Sequence, residues 1–142
     1  MVGYPAGGEA IPYTFTKIAD TSGLFDSFGI SPSINAGGTL AFHAGLDAGG
    51  FGIFTGADPI GDKVIKTDDT LFGGTVIALL SFTQAINDVG QIAFSASLSD
   101  GTSGIFRADP VLAPVPEPSG LVLLGIGLAA MGAIGRGRHR RR

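Results

Sequence analysis

Side chains able to do chemistry are few in this chain, and their spacing argues against catalysis. The chain has two histidines, His43 and His139, and His139 lies in a basic run at the C-terminal end. A histidine acting as base or metal ligand needs a second group in reach, and no neighbour in sequence supplies one to His43. It reads instead as a residue on the polar face of a strand. Asp68 and Asp69 are adjacent, and consecutive side chains on extended backbone point apart. They read as a solvated turn rather than an acid–base pair. Asn87, Asp88 and Asp100 miss the D-x-[DN]-x-[DN]-G spacing of a calcium loop, which leaves weak calcium binding by acidic loops as the lesser alternative. The serines have neither a partner histidine nor a G-x-S-x-G turn. The glycine runs at 48–50 and 72–74 do not open helices, as a phosphate cradle would. The absence of cysteine removes disulfides, thiolate ligands and a cysteine nucleophile. The expectation is a non-enzymatic protein with no cofactor and no metal site.

One tract reads as something acted upon. Residues 109–118, DPVLAPVPEP, hold Pro110, Pro114, Pro116 and Pro118. Proline at that density favours an extended stalk without sheet donors. Residues 119–135 follow without a charge, and seven of them, Leu121, Val122, Leu123, Leu124, Ile126, Leu128 and Ile134, are the aliphatics that favour a bilayer. Five glycines weaken the run. As a helix, 121–135 would span about 22 Å against a hydrocarbon core of about 30 Å, so thinning and snorkelling arginines must make up the difference. Gly125, Ala129 and Ala133 fall at four-residue spacing; this is the pattern of a helix-pairing stripe, but in a Gly- and Ala-rich run chance is the better reading.

Charge is divided along the chain. All 12 acidic residues lie at or before Glu117, opposed there by four basic residues, Lys17, Lys63, Lys66 and Arg107, which leaves −8 on residues 1–118. The other five basic residues, Arg136, Arg138, Arg140, Arg141 and Arg142, all follow the apolar run. An acidic body is a poor nucleic-acid ligand. A basic cluster after an apolar span reads as a stop signal held on the cytoplasmic side.

The body repeats itself. Residues 34–54 and 86–106 align without a gap at an offset of 52, with identities that include Ile34/Ile86, Asn35/Asn87, Gly38/Gly90, Ala41/Ala93, Phe42/Phe94, Leu46/Leu98, Ile53/Ile105 and Phe54/Phe106. Upstream, 18–25 parallels 65–72 at an offset of 47, which places five extra residues of the second copy between Phe72 and Asn87. Both copies alternate with period two, the pattern of half-buried strands. Leu40, Phe42, Ile92 and Phe94 are expected inside, with His43 and Ser95 on the opposite face. The four recurring phenylalanines read as core, with a sugar-stacking platform as the alternative. Asp100-Gly101 supplies a hairpin turn. A complete unit is expected to have four short strands near 30–35, 39–46, 51–56 and 63–67, and residues 13–18 look like the closing strand of a preceding unit.

Two resemblances follow from these residues. The order Val115-Pro116-Glu117-Pro118-Ser119, apolar span, terminal arginine cluster resembles the PEP-CTERM sorting signal, a tail also labelled an ice-binding protein C-terminal domain without implying ice binding. The resemblance implies recognition by an exosortase, an intramembrane transpeptidase of Gram-negative bacteria that make exopolysaccharide. It makes Pro116, Glu117 and Pro118 the recognition residues, with cleavage nearby. The repeats resemble the NxxGxxAF tandem repeat of bacterial surface proteins, through Asn35, Gly38, Ala41 and Phe42 and then Asn87, Gly90, Ala93 and Phe94. No activity comes with that resemblance.

The fold class expected is mainly β, two tandem three- or four-stranded antiparallel units resembling propeller blades, plus one C-terminal transmembrane helix. The expected division is an irregular segment at 1–12, β repeats at 13–109 with cores at about 28–67 and 78–109, a stalk at 110–118, and a sorting and anchor tail at 115–142. Within that tail the helix runs over about 120–135 and the basic end over 136–142. Residues 1–8 have neither a basic region nor an apolar core, so an export signal is expected upstream, or the chain is a fragment. The expected partners are exosortase and membrane, with exopolysaccharide a candidate and nucleic acid excluded. The body would lie outside the cytoplasm while the tail sits in the inner membrane, and at the cell surface or in the extracellular matrix after processing. The alternative function is a polysaccharide- or ligand-binding repeat module on a single-span anchor.

Overall fold

The computed structural model describes residues 7–8, 10–80 and 85–114. The expected membrane helix, the PEP motif and the arginine cluster lie outside them. No helix among the described residues is long and apolar enough to cross a membrane. The chain divides into two compact units, Met1–Pro110 and Val111–Arg142. In the second, Val111 and Leu112 are exposed and 111–114 carry no regular structure.

The first unit is all β. Its strands are β1 (Phe25–Phe28), β2 (Ser33–Ile34), β3 (Leu40–Leu46), β4 (Phe51–Phe54), β5 (Lys63–Lys66), β6 (Thr70–Leu71), β7 (Gly74–Leu80), β8 (Ile92–Leu98) and β9 (Ser103–Ala108). They form two antiparallel sheets. The first runs β1-β3-β4-β5, with β2 also pairing β3, and the second runs β6-β7-β8-β9.

Strand pairings at the repeat positions agree between the sheets. Phe42 stands opposite Phe54 as Phe94 stands opposite Phe106, and His43 opposite Ile53 as Ser95 opposite Ile105. The first strands correspond too. Phe25 faces Leu46 where Val76 faces Leu98, and each pair is followed by a register shift, at Asp26 and at Ile77. Phe25 and Val76 are 51 positions apart, not 47. The five extra residues of the second copy are therefore placed differently from the sequence expectation. Four of them are residues 70–73, β6 and the turn after it, and one lies between β7 and Asn87.

The expected strand at 30–35 is cut to the two residues of β2, and residues 13–18 are in no strand. β1 was not expected. Its bulge puts Phe25 and Phe28 on one face, a spacing of three that strict alternation does not produce.

Packing joins the sheets by unlike faces. One cluster unites Ala41, Ile53 and Ile65 of the first sheet with Val76, Ile92, Phe94, Ala96 and Leu98 of the second. Ala41 and Ile53 point to the opposite side of the first sheet from Phe42 and Phe54. Calling the phenylalanine side of each sheet its front, the back of the first sheet lies on the front of the second. The front of the first sheet carries its own cluster, Phe25, Phe42, Ala44 and Phe54, with Ala19 and Leu46 against it. Phe25 and Phe54 meet edge-on at 5.0 Å, the arrangement that ring quadrupoles favour. The first sheet is thus covered on both sides, and β3 is buried on both faces rather than alternating. Phe42, Ile92 and Phe94 are buried as expected, while Leu40, at the strand's start, is only half-buried.

Candidate functional site

The repeat motif builds a turn and then uses it as a joint. In the first copy the Asn35 main chain is bonded both ways to Thr39 and Gly38: Asn35 N donates to Thr39 O at 3.1 Å, and Gly38 N donates to Asn35 O at 3.0 Å. The Asn35 side-chain oxygen accepts from Thr39 N at 2.9 Å. In the second copy Gln91 N donates to the Asn87 side-chain oxygen at 2.9 Å, and Gly90 N donates to Asn87 O at 3.0 Å. Asparagine is suited to this role because its short amide mimics a main-chain acceptor. Gly38 and Gly90 have φ of 83° and 82°, a region that a Cβ disfavours. Their spacing of three from the asparagine is set by this turn.

The two turns touch each other. Asn35 Nδ2 donates to the main-chain oxygen of Asn87 at 3.1 Å, and Ala36 N donates to the Asp88 carboxylate at 2.8 Å. Beside them Ile86 N donates to Ser33 Oγ at 3.5 Å, and Ser33 is the one buried polar side chain among the described residues. The first two bonds link residues 52 apart. These polar contacts rim the apolar contact between the sheets and fix how one unit sits on the next.

The rest of the motif separates by position in the stack. Ala41 is fully buried at the joint, where a larger side chain would hold the sheets apart, whereas its equivalent Ala93 is exposed. Phe42 and Phe94 both fill the front of their sheets.

His43 lies on the back of the first sheet, stacked on Phe51 at 5.5 Å and 12°. Its Nε2 is buried without a hydrogen-bond partner. Burial lowers its pKa below the ordinary 6.5, since an imidazolium there would be poorly solvated. Among the described residues no carboxylate hydrogen-bonds to it. Asp68 and Asp69 do not act as a pair. Asp68 has φ of 72°, while Asp69 binds Lys63 Nζ at 2.9 Å and accepts from Lys66 N at 3.0 Å. Asp20, held by Lys17 and by the hydroxyl and main chain of Ser22, has its carboxyl lowered to about 2. Hydrogen bonding from Thr102 N likewise lowers Asp100, which caps the turn after β8. No group of three or more His, Cys, Asp or Glu side chains able to hold a metal occurs among the described residues.

One feature was not signalled by pattern. Phe72 and Gly73 form the two-residue turn between β6 and β7, with φ of 48° and 86°. Two positive φ values are the signature of a type I′ turn, where Asn-Gly is usual and a bulky residue is an outlier. Phe72 is 88% exposed and stacks on Phe106 at 5.9 Å and 21°.

Two clefts lined by described residues are open to solvent. One of about 270 Å³ lies over Ile18, Ala19, Leu24 and Phe25, and one of about 240 Å³ over Ala85, Asn87, Gln91 and Arg107. Both are small for a ligand pocket.

No curated protein and no solved structure matches this chain. Residues 78–122, which run from within β7 through the second Asn turn, β8 and β9 to the start of the apolar tract, are similar to a family of unknown function, DUF7453.

Proposed function

We propose that this chain is a non-enzymatic exported surface or matrix protein, sorted through its 115–142 tail and processed by an exosortase. The observation that carries the reading is the order in the sequence: Pro116-Glu117-Pro118, an uncharged apolar run, then five arginines. On this reading about 120–135 cross the inner membrane as a single helix. Arginines cost roughly 2.5–3.5 kcal/mol each at the bilayer centre, so Arg136–Arg142 stay in the cytoplasm and the acidic body stays outside. The PEP motif then stands at the outer surface of the membrane. The body is consistent with the reading: two antiparallel sheets joined by turn contacts, which on this reading are propeller-blade-like repeats made for display. The test expresses the chain behind a working export signal, with and without exosortase, and reads the mature C-terminus by mass spectrometry. Cleavage within a few residues of Pro118, lost on Glu117→Ala, is expected. Intact protein ending at Arg142 in the exosortase-positive host would refute sorting.

A polysaccharide-binding role is favoured by one observation, the outward Phe72 held at a positive φ against Phe106. An aromatic kept where asparagine would fit better suggests use of the ring face. Phe72→Asn should preserve the turn and reduce retention on the producing organism's exopolysaccharide. Equal retention would leave display as the sole reading.

A further inference from the structure

We propose that the second sheet receives the first unit of a second copy of this chain, joining copies head to tail. The repeat itself carries the argument, because equivalent residues have opposite fates. Ile53, on the back of the first sheet, is 1% exposed, and Ile105, at the same place on the second, is 84% exposed. Ala41 is fully buried and Ala93 is exposed. The back of the second sheet therefore leaves open the isoleucine and the alanine that the first sheet buries, among Ser95, Ser103 and Arg107 where the first sheet has His43, Phe51 and Thr55, and no described residue lies on it.

The edge of that sheet is open in the same sense. In the first sheet β5 pairs with the outer edge of β4, with Ile53 opposite Ile65 and Phe54 opposite Lys63. The equivalent edge of β9 has no strand beside it among the described residues. At the other end of the unit lies a strand sequence without a sheet. Residues 16–19 correspond to β5 at the offset of 47, with Ile18 in the place of Ile65. Tyr13 and Phe15, just before them, are exposed. Ala19 packs on the front cluster of the first sheet, and Ile18, the residue equivalent to Ile65, is 37% exposed. The segment lies against the first sheet with its isoleucine open to a partner.

Repeating the relation between the two sheets once more places the partner. Ile18 of the second copy falls opposite Ile105 and Thr16 opposite Phe106, as Ile65 stands opposite Ile53 and Lys63 opposite Phe54. Residues 16–19 of the same copy pair with no strand of it among the described residues. They sit on the front of the first sheet, the open face is the back of the second, and two stacked sheets, each about 10 Å from the next, separate them. A contact between unlike faces is heterologous, so it yields a ring if the rotation closes and a filament if it does not.

The absence of cysteine from the chain gives a clean test. Full-length Ile18→Cys and Ile105→Cys proteins are purified separately in mild detergent, mixed and gently oxidised. A disulfide-linked heterodimer that forms only on mixing is expected. A control mixture of Ile18→Cys with Asp100→Cys, at the far turn of the same hairpin, should give little. Equal yields in the two mixtures, or none in the first, would overturn the proposal. In parallel, sedimentation of the unmodified chain should show species heavier than monomer that shift to monomer in Ile105→Arg. The circular dichroism of that variant checks that its strands remain. Association that persists in a folded Ile105→Arg protein would place the contact in the tail and refute this surface.

Discussion

Asn35 donates its side-chain amide to the main-chain oxygen of Asn87, its own equivalent one repeat later, over 3.1 Å. The same side chain closes its local turn by accepting from Thr39 N. One residue type at one spacing thus sets a turn and couples it to the next unit, through two different atoms.

Asn35→Asp separates the two roles. The carboxylate keeps the acceptor for Thr39 N and removes the donor to Asn87. The variant should lose about 1 kcal/mol in urea denaturation, the usual net value of one hydrogen bond. Asn35→Ala removes both and should lose about twice that. No loss in Asn35→Asp would show that the bond to Asn87 contributes nothing, and equal losses in the two variants would show the same of the bond from Thr39 N.

Gly52 and Gly104 hold equivalent places with different room. A Cβ on Gly52 would lie 2.5 Å from Phe54 Cζ and 3.1 Å from Ile65 O, whereas on Gly104 it would lie 3.4 Å from Phe106 Cζ. Phe54 is fully enclosed, so its ring cannot swing away. Gly52→Ala should cost about 1–3 kcal/mol, as overpacking does, and Gly104→Ala clearly less. Thermal or chemical denaturation of the pair compares them directly.

His43 ties stability to pH. Its folded pKa lies below the ordinary 6.5 because burial disfavours the imidazolium, so the unfolded chain binds more protons just below that value. Stability should therefore be full at pH 7.5 and fall toward pH 5.5. Asp20, with its carboxyl at about 2, stays ionised across this window. His43→Gln should flatten the slope, whatever its effect on stability at pH 7.5. An unchanged slope would assign the titration elsewhere.

Residues 70–73, β6 and its turn, are an addition that the first copy lacks. Deleting those four residues joins Asp69 to Gly74 as Ser22 joins Gly23. The shortened chain should keep its β-sheet spectrum and unfold cooperatively, with a loss of about 1–3 kcal/mol from the Phe72–Phe106 stack and the packing of Leu71 on the shared core. Loss of cooperative folding would mean the equivalence of β1 and β7 is wrong.

Much of the body was legible in the sequence. The identities at an offset of 52 mark β3 with β8 and β4 with β9, and alternation in 91–98 gives the buried Ile92, Phe94, Ala96 and Leu98. β1 was hidden by its bulge, since a spacing of three between Phe25 and Phe28 breaks the period on which a strand is recognised. The β6–β7 hairpin was hidden by its turn residue, because Leu-Phe-Gly-Gly shows no turn former at Phe72. The two-sided burial of β3 depends on which sheet covers which, and that is a property of the stack rather than of any strand. The contact between Asn35 and Asn87 is hidden from the sequence for the same reason: the spacing marks a turn, and only packing brings the two turns together.

The back-to-front join has a consequence for how such a protein changes in length. Because one face of a unit fits the other face of its neighbour, an in-frame duplication of one period inserts a copy whose two surfaces are already matched to what lies on either side. No compensating substitution is required at the new boundaries. A join between like faces would allow a pair and nothing more, so recombination could not lengthen it stepwise. Variation in copy number is therefore built into the geometry of the interface, and genes for such stacks should expand and contract by whole periods.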